Sequence, residues 1–194
     1  MSSYDSVKQF ANRCDTLPRL DFVILNAGIV KLNFELNPNT KHEETVQVNC
    51  LSTCLLASLL LPVVKTSSGP GKITIVDSEV AEWTLFPQKS KDPILSQFDQ
   101  EKGSDGVERY YVSKLVPEFF VKEISKRISS DKVIVNIVNP GFCYGSSLHR
   151  EVPGLLGTVF WYSQTCHRPY VRNWRTPNRQ RRCCTGESLA WEVL

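Results

Sequence analysis

Phe22-Val23-Ile24-Leu25-Asn26-Ala27-Gly28 is a run of four apolar residues stopped by an amide and two small residues. The same grammar returns twice. Ile73-Thr74-Ile75-Val76 runs into Asp77-Ser78-Glu79, and Val133-Ile134-Val135-Asn136-Ile137-Val138 runs into Asn139-Pro140-Gly141. Runs this short, continuous and β-branched read as strands covered on both faces. Between them lie two long helical patterns, about Lys41 to Lys65 and about Val107 to Ser129, and a shorter one, about Ser3 to Arg13, precedes the first strand. Strands alternating with helices predict right-handed βαβ units and a parallel sheet, an α/β fold. Ligands of such sheets bind outside the carboxyl ends of the strands. The three polar tripeptides therefore mark the expected site, and the polar stretch from Phe86 to Gly106 is a long surface excursion expected to lie over it.

The composition suits one globular domain: 194 residues, 41% hydrophobic and 22% charged. The longest nearly apolar stretch, Leu51 to Val64, falls short of the roughly 18 to 20 residues that cross a bilayer, so no transmembrane segment is expected. Met1-Ser2-Ser3-Tyr4-Asp5 is not the opening of a signal peptide, and the expected compartment is the cytoplasm. Seven cysteines without a Cys-x-x-Cys pair predict reduced thiols. Cys166-His167 with Cys183-Cys184 matches no familiar zinc spacing, so no metal is expected. Charge divides the chain. Residues 1 to 160 carry a net −1, whereas residues 161 to 194 carry six Arg, no Lys and two Glu, a net +4. The stretch Tyr170 to Arg182 has no apolar periodicity, so residues 161 to 194 are read as a basic, irregular segment without a further strand. Arginine tracts attract phosphate without any fold, and no nucleic-acid partner is expected from this one.

Five features in order, namely Asn26-Ala27-Gly28, Asn49 in the following helix, Ser78 ending the second strand, Tyr110-x-x-x-Lys114 in the second long helix and Pro140-Gly141 after the third strand, resemble the short-chain dehydrogenase/reductases. The resemblance covers about residues 1 to 160. The long insertion between Ser78 and Tyr110 is similar to that of the retinol-dehydrogenase-like branch, common among fungal metabolite-tailoring reductases. Tyr-x-x-x-Lys alone is weak, since Tyr4 and Lys8 repeat it. Taken singly, Ser78 reads as a strand terminator, Pro140-Gly141 as a turn, and Tyr110 with Lys114 as a solvated helix face. Asn49 is harder to dismiss, because it interrupts an apolar segment where an unpaired amide would be costly.

The chemistry of these residues agrees with the resemblance. Residues four apart share a helix face, so the Lys114 ammonium is expected near the Tyr110 phenol, lowering its pKa from about 10. Tyr110 then serves as general acid toward a carbonyl or general base toward an alcohol, with Ser78 hydrogen-bonding the same oxygen. The resemblance further implies a partial doubly wound, Rossmann-like sheet. By the same resemblance Lys114 holds the nicotinamide ribose, Asn49 holds a proton-relaying water, and Asn26, Ala27, Gly28, Pro140, Gly141 and Cys143 lie along the cofactor, NADP in preference to NAD.

The family's glycine-rich pyrophosphate turn is not found: neither Gly69-Pro70-Gly71 nor Gly154 to Gly157 follows a strand and opens a helix. The resemblance implies that about 60 residues, with the first strands, are lacking ahead of Met1. Phe22 to Leu25 then becomes an edge, exposing Phe22, Ile24 and Val63-Val64 to self-association. His149 to Trp161 is still similar to the family's substrate-side region. Beyond Trp161 the change from Lys to Arg reads as a frameshifted or misspliced end. The expected function is an NAD(P)-dependent oxidoreductase interconverting a ketone and a secondary alcohol on a small hydrophobic metabolite, in secondary-metabolite biosynthesis. The alternative is an inactive remnant, or a pseudoenzyme that only binds a partner.

Overall fold

The computed structural model describes residues 1–64, 69–103, 105–141 and 148, together with the backbone of 170–172 and 180–182. Helix α1 (Tyr4–Asp15) opens on Ser3, whose hydroxyl accepts from the Ser6 N–H, and β1 follows at Phe22–Leu25. Helix α2 runs from Glu44 to Val64 with a π-helical turn at Gln47–Ser52. Strand β2 is Gly71–Val76, α3 is Gly106–Arg127 and β3 is Val133–Asn139. The expected βαβ order is present, with helix ends displaced by only a few residues.

Strand β2 pairs in parallel with β1 on one side and β3 on the other, Ile73 standing between Val23 and Val135. Two further strands, β4 (Tyr170–Arg172) and β5 (Gln180–Arg182), continue the sheet antiparallel beyond β3. No strand is expected there from the sequence. Three-residue strands of this composition carry no apolar period, and it is backbone pairing that defines them, of β4 with β3 and of β5 with β4. The rest of residues 142–194, including Cys143 and the His149 to Trp161 region, lies outside the described residues, apart from Leu148.

One face of the sheet carries the core. Leu25, Ile73, Ile75, Val133 and Ile137 meet Val7 and Ala11 of α1, Leu56, Leu60 and Val64 of α2, and Val121 of α3. The opposite face is not the covered surface that the continuous apolar runs predict. Burial alternates strictly along β2, and at the free edge of β1 Phe22 is 59% and Ile24 70% exposed. Apolarity alone does not distinguish a covered face from an exposed one. Val64, expected to be exposed, is fully buried under the sheet, and Val63 packs partly against the same core.

Helix α2 is longer than its 14-residue apolar run, because Glu44 to Cys50 precede that run in the same helix. It is long and apolar enough to cross a membrane by length and composition only, and 61% of its most apolar window is buried inside the fold, as in a core helix. The excursion from Phe86 to Gly106 is tied to helices α2 and α3. Phe98 is buried against Val46, Cys50 and Val112, and Asp99 accepts from the Glu43 N–H at 3.0 Å.

Gly106 sets the approach of α3 to the loop that leaves β1. A Cβ there would stand 2.2 Å from the Leu32 carbonyl oxygen and 2.6 Å from its Cα, distances that require backbone movement. Overpacking commonly costs about 1 to 3 kcal/mol. Gly106→Ala is therefore expected to lower the urea midpoint by at least that equivalent, and an unchanged midpoint would mean the two segments are not held together.

Candidate active site

Helix α3 starts on Asp105, whose carboxylate accepts from the N–H groups of Val107 and Glu108. One turn later Tyr110 points into the fold and is buried with Val30 and Val80, with Leu32, Tyr111 and Leu148 packed around them. Ser78 follows β2 in extended conformation, and its side chain hydrogen-bonds the phenol. Lys114 is buried one turn beyond Tyr110 and donates through Nζ to the Val76 carbonyl, 3.2 Å away at the end of β2. Ser78, Tyr110 and Lys114 thus meet at the carboxyl end of the parallel strands.

Asn49 lies in the π-helical turn, a distortion frequent at functional sites. Its amide is not orphaned: Oδ1 accepts from the Ile29 N–H at 2.8 Å, while Nδ2 donates to the Ile29 carbonyl and the Ser113 hydroxyl, both at 2.9 Å. Ser113 in turn donates to the Tyr110 carbonyl at 2.7 Å. Asn49 therefore pins the loop after β1 to the helix that carries Tyr110. Ser113 is a member that the sequence reading passed over, although a hydroxyl beside Lys114 on a buried face was a signal for it.

Asn26 and Ala27 are exposed beside this cluster. Gly28 lies against it, since a Cβ there would stand 3.4 Å from Asn49 Oδ1 and 3.6 Å from Lys114 Nζ. On the other side Asn139 ends β3, Oδ1 accepting from the Gly141 N–H at 3.0 Å while its buried Nδ2 finds no acceptor among the described residues. Gly141 has φ +71, a left-handed conformation that glycine adopts freely, and follows Pro140. These features fit the nicotinamide end of a dinucleotide: a narrow approach at Gly28, a cation at Lys114 and an unused amide donor at Asn139. No glycine-rich turn leading from a strand directly into a helix is found among the described residues to cradle its pyrophosphate.

The electrostatics depart from the expectation at Tyr110. Burial pushes the phenol well above its ordinary value, the hydrogen bond to Ser78 acts against this, and Asp77 reinforces it. The expected lowering by Lys114 does not occur. Burial acts on the lysine too, pushing its ammonium down, with Asp77 opposing. Sequence spacing identified the pair but could not report their desolvation.

Asp77, directly before Ser78, is pushed up to about 8, first by burial and then by Glu118, with Lys114 acting in the opposite direction. Between its ordinary 3.8 and about 8, the folded state thus holds a proton that the unfolded chain releases. The resulting stabilisation is fully present below the unfolded value and is lost as pH rises through about 8. Urea stability is expected to decline from about pH 5 to pH 8.5, on the scale of about 1.4 kcal/mol per unit of displaced pKa, and Asp77→Asn should flatten the decline. Equal slopes in both proteins would contradict this assignment.

Comparison with known proteins agrees with the fold and with the family resemblance. Residues 1–88 match the family described as short chain dehydrogenase. The chain is 49% identical over 158 residues to Short chain dehydrogenase/reductase mfmJ of Annulohypoxylon moriforme, covering 79% of this chain and 46% of that protein. It is 45% identical over 166 residues to Short-chain dehydrogenase fogG of Aspergillus ruber, covering 82% and 48%. The chain spans about half the length of the curated relatives it matches. Among solved structures, a short-chain dehydrogenase/reductase of Caenorhabditis elegans superposes with a TM-score of 0.55 at 17% identity, covering 82% of this chain and 54% of that one. A short chain dehydrogenase of Shigella flexneri complexed with NADP gives 0.52 at 22%, covering 79% and 56%. These two likenesses concern the fold.

Proposed function

Since the chain belongs to the short-chain dehydrogenase/reductase superfamily, grouping with its fungal members, we propose that it forms the catalytic portion of an NAD(P)-dependent oxidoreductase that interconverts a ketone and a secondary alcohol. The observation that carries this reading is the meeting of Ser78, Tyr110 and Lys114 at the strand ends, with Gly28 and Asn139 flanking them. When bound, the nicotinamide supplies or accepts the hydride. The chain's own residues handle the proton. Ser78 orients the substrate oxygen by a hydrogen bond, and Tyr110 donates its proton to that oxygen as negative charge develops there. Burial keeps the phenol protonated throughout the physiological range, so the resting site is set for the reductive direction. Lys114 and Gly28 would hold the ribose side and Asn139 would donate to the carboxamide. Asn26, Ala27, Pro140 and Gly141 would shape the rim, and Cys143 remains assigned to the cofactor by resemblance alone. Asn49 fixes Ile29 and Ser113 through its side chain while holding the relay water.

Val30, Val80 and Leu148 around the phenol favour a small hydrophobic substrate. Secondary metabolism, the cytoplasm and NADP rather than NAD are carried forward from the resemblance. The exposed apolar edge at Phe22 and Ile24 supports self-association.

The test is titration with NADPH and NADH of two proteins: this chain, and this chain preceded by the corresponding N-terminal segment of the Annulohypoxylon moriforme relative. The longer protein is expected to bind NADPH at least tenfold more tightly than the shorter, because backbone N–H groups at a helix start hold pyrophosphate. Absence of dinucleotide binding in both would favour the partner-binding alternative.

A further inference from the structure

Two aromatic side chains near Tyr110 take no part in the proposed chemistry. Tyr111 is the next residue of α3, its ring centroid 6.4 Å from that of Tyr110, and like Leu148 it packs against the cluster of Tyr110 and Val80. Trp83 comes from the segment that carries Ser78. A 3₁₀ turn at Glu79–Glu82 follows that serine, and Trp83 closes it, its N–H donating to the Val80 carbonyl at 3.0 Å. The residues after Trp83 are tied to α3: Glu108 accepts from the Thr84 hydroxyl and, at 3.1 Å, from the Phe86 N–H. The backbone is thus fixed on both sides of the indole, which nevertheless stays 39% exposed. The centroids of the Trp83 and Tyr111 rings lie 6.0 Å apart with their planes at 86°. Together the two rings make a corner.

We propose that this corner is the subsite for an aromatic ring of the substrate, that the ketone handled at Tyr110 therefore carries such a ring, and that Trp83 determines this specificity. The inference rests on the proposed function and names the substrate class of the same site. A flat ring laid parallel to either Trp83 or Tyr111 stands perpendicular to the other. One guest thereby makes an offset-stacked and an edge-to-face contact together, the two arrangements that aromatic pairs prefer. A saturated ring of similar size buries similar area but has no ring quadrupole to match. Gly28, assigned to the cofactor, stands against Asn49 and Lys114, whereas the corner joins the phenol through Tyr111 and Val80 and so belongs to the substrate's share of the site.

The test compares acetophenone with cyclohexyl methyl ketone, which have the same skeleton and differ in aromaticity. The full chain carrying fluorotryptophan is titrated with each and followed by ¹⁹F NMR, the Trp83 resonance being assigned by its loss in Trp83→Leu. Acetophenone is expected to move the Trp83 resonance to saturation and the saturated ketone to leave it in place. In the protein extended by the relative's N-terminal segment, Trp83→Leu is expected to lower the kcat/KM ratio of the aromatic over the saturated ketone about fivefold, through KM, the scale of an aromatic contact. Trp83→Phe should stay within about twofold of the wild-type ratio, because it keeps a ring in the corner. Taking the ratio cancels any general damage to the fold, which would slow both ketones alike. A Trp83 resonance moved equally by both ketones or by neither, or a ratio unchanged in Trp83→Leu, would overturn the proposal. Absence of turnover with either ketone would count against the functional reading, and the ¹⁹F titration, which needs no hydride transfer, would then decide the subsite alone.

Discussion

Tyr110→Phe is expected to lower kcat/KM for ketone reduction by about 10²- to 10⁴-fold, the range that a positioned general acid supplies. The assay uses the chain preceded by the relative's N-terminal segment, so that the cofactor is held. Phenylalanine keeps the ring among Val30 and Val80 and deletes only the hydroxyl, so the urea midpoint should change little. Ser78 would remain as a hydrogen-bond donor to the substrate oxygen, without a partner to transfer the proton. A variant retaining more than about a tenth of wild-type activity would remove Tyr110 from the role of acid.

The second large effect is structural and centres on an ion pair sealed in the interior. Glu43 caps the start of α2, its Oε2 accepting from the Val46 N–H at 2.9 Å, and Oε1 lies 3.3 Å from Arg109 Nε. Arg109 also donates to the Leu32 carbonyl, and its guanidinium lies 5.5 Å from the centroid of the Phe34 ring. The pair thus joins α2, the loop after β1 and the turn of α3 directly before Tyr110. Burial pushes the Glu43 carboxyl up even with Arg109 beside it, so desolvation outweighs attraction. Arg109→Leu is expected to cost about 3 to 5 kcal/mol at pH 7, as when one partner of a buried pair is removed. That is a large share of the roughly 5 to 15 kcal/mol that stabilises an ordinary domain. The deficit should shrink at pH 4, where Glu43 takes up a proton, and shrink again in the double variant Glu43→Gln, Arg109→Leu. Urea unfolding of the wild type, Arg109→Leu, Glu43→Gln and the double variant at the two pH values measures this, and a loss independent of pH would point to packing alone.

What could be read from the sequence divides along a physical line. Strands β1 to β3 and the two long helices were legible because short buried apolar runs and helical periods are local properties. Ser78, Tyr110 and Lys114 were legible because their spacing is tied to those elements. The π-helical turn in α2 was not, since its distinguishing contacts join Asn49 to Ile29 and Ser113, which are distant in sequence. Glu43, Arg109 and Glu118 were passed over, and Asp77 was placed at the site without its burial, for a different reason. Charged residues are usually solvated, and only the tertiary fold reveals that these four are buried. The same limit explains Tyr110, whose spacing from Lys114 suggested a lowered pKa while its burial dictates a raised one. The uncovered face bearing Phe22 and Ile24 was anticipated through the resemblance, whereas the apolar runs themselves suggested coverage on both sides.

The central claim is that Ser78, Tyr110 and Lys114 form the proton-handling half of a nicotinamide-dependent carbonyl site. Its most direct test is isotope transfer. The chain preceded by the relative's N-terminal segment is incubated with NADPH deuterated at nicotinamide C4 and a panel of small hydrophobic ketones, and the products are analysed by mass spectrometry. The account predicts a secondary alcohol carrying one deuterium on the carbinol carbon, formed by the wild-type chain and almost absent with Tyr110→Phe. Deuterated alcohol formed equally by both proteins, or none from any ketone in a folded protein that binds NADPH, would contradict it.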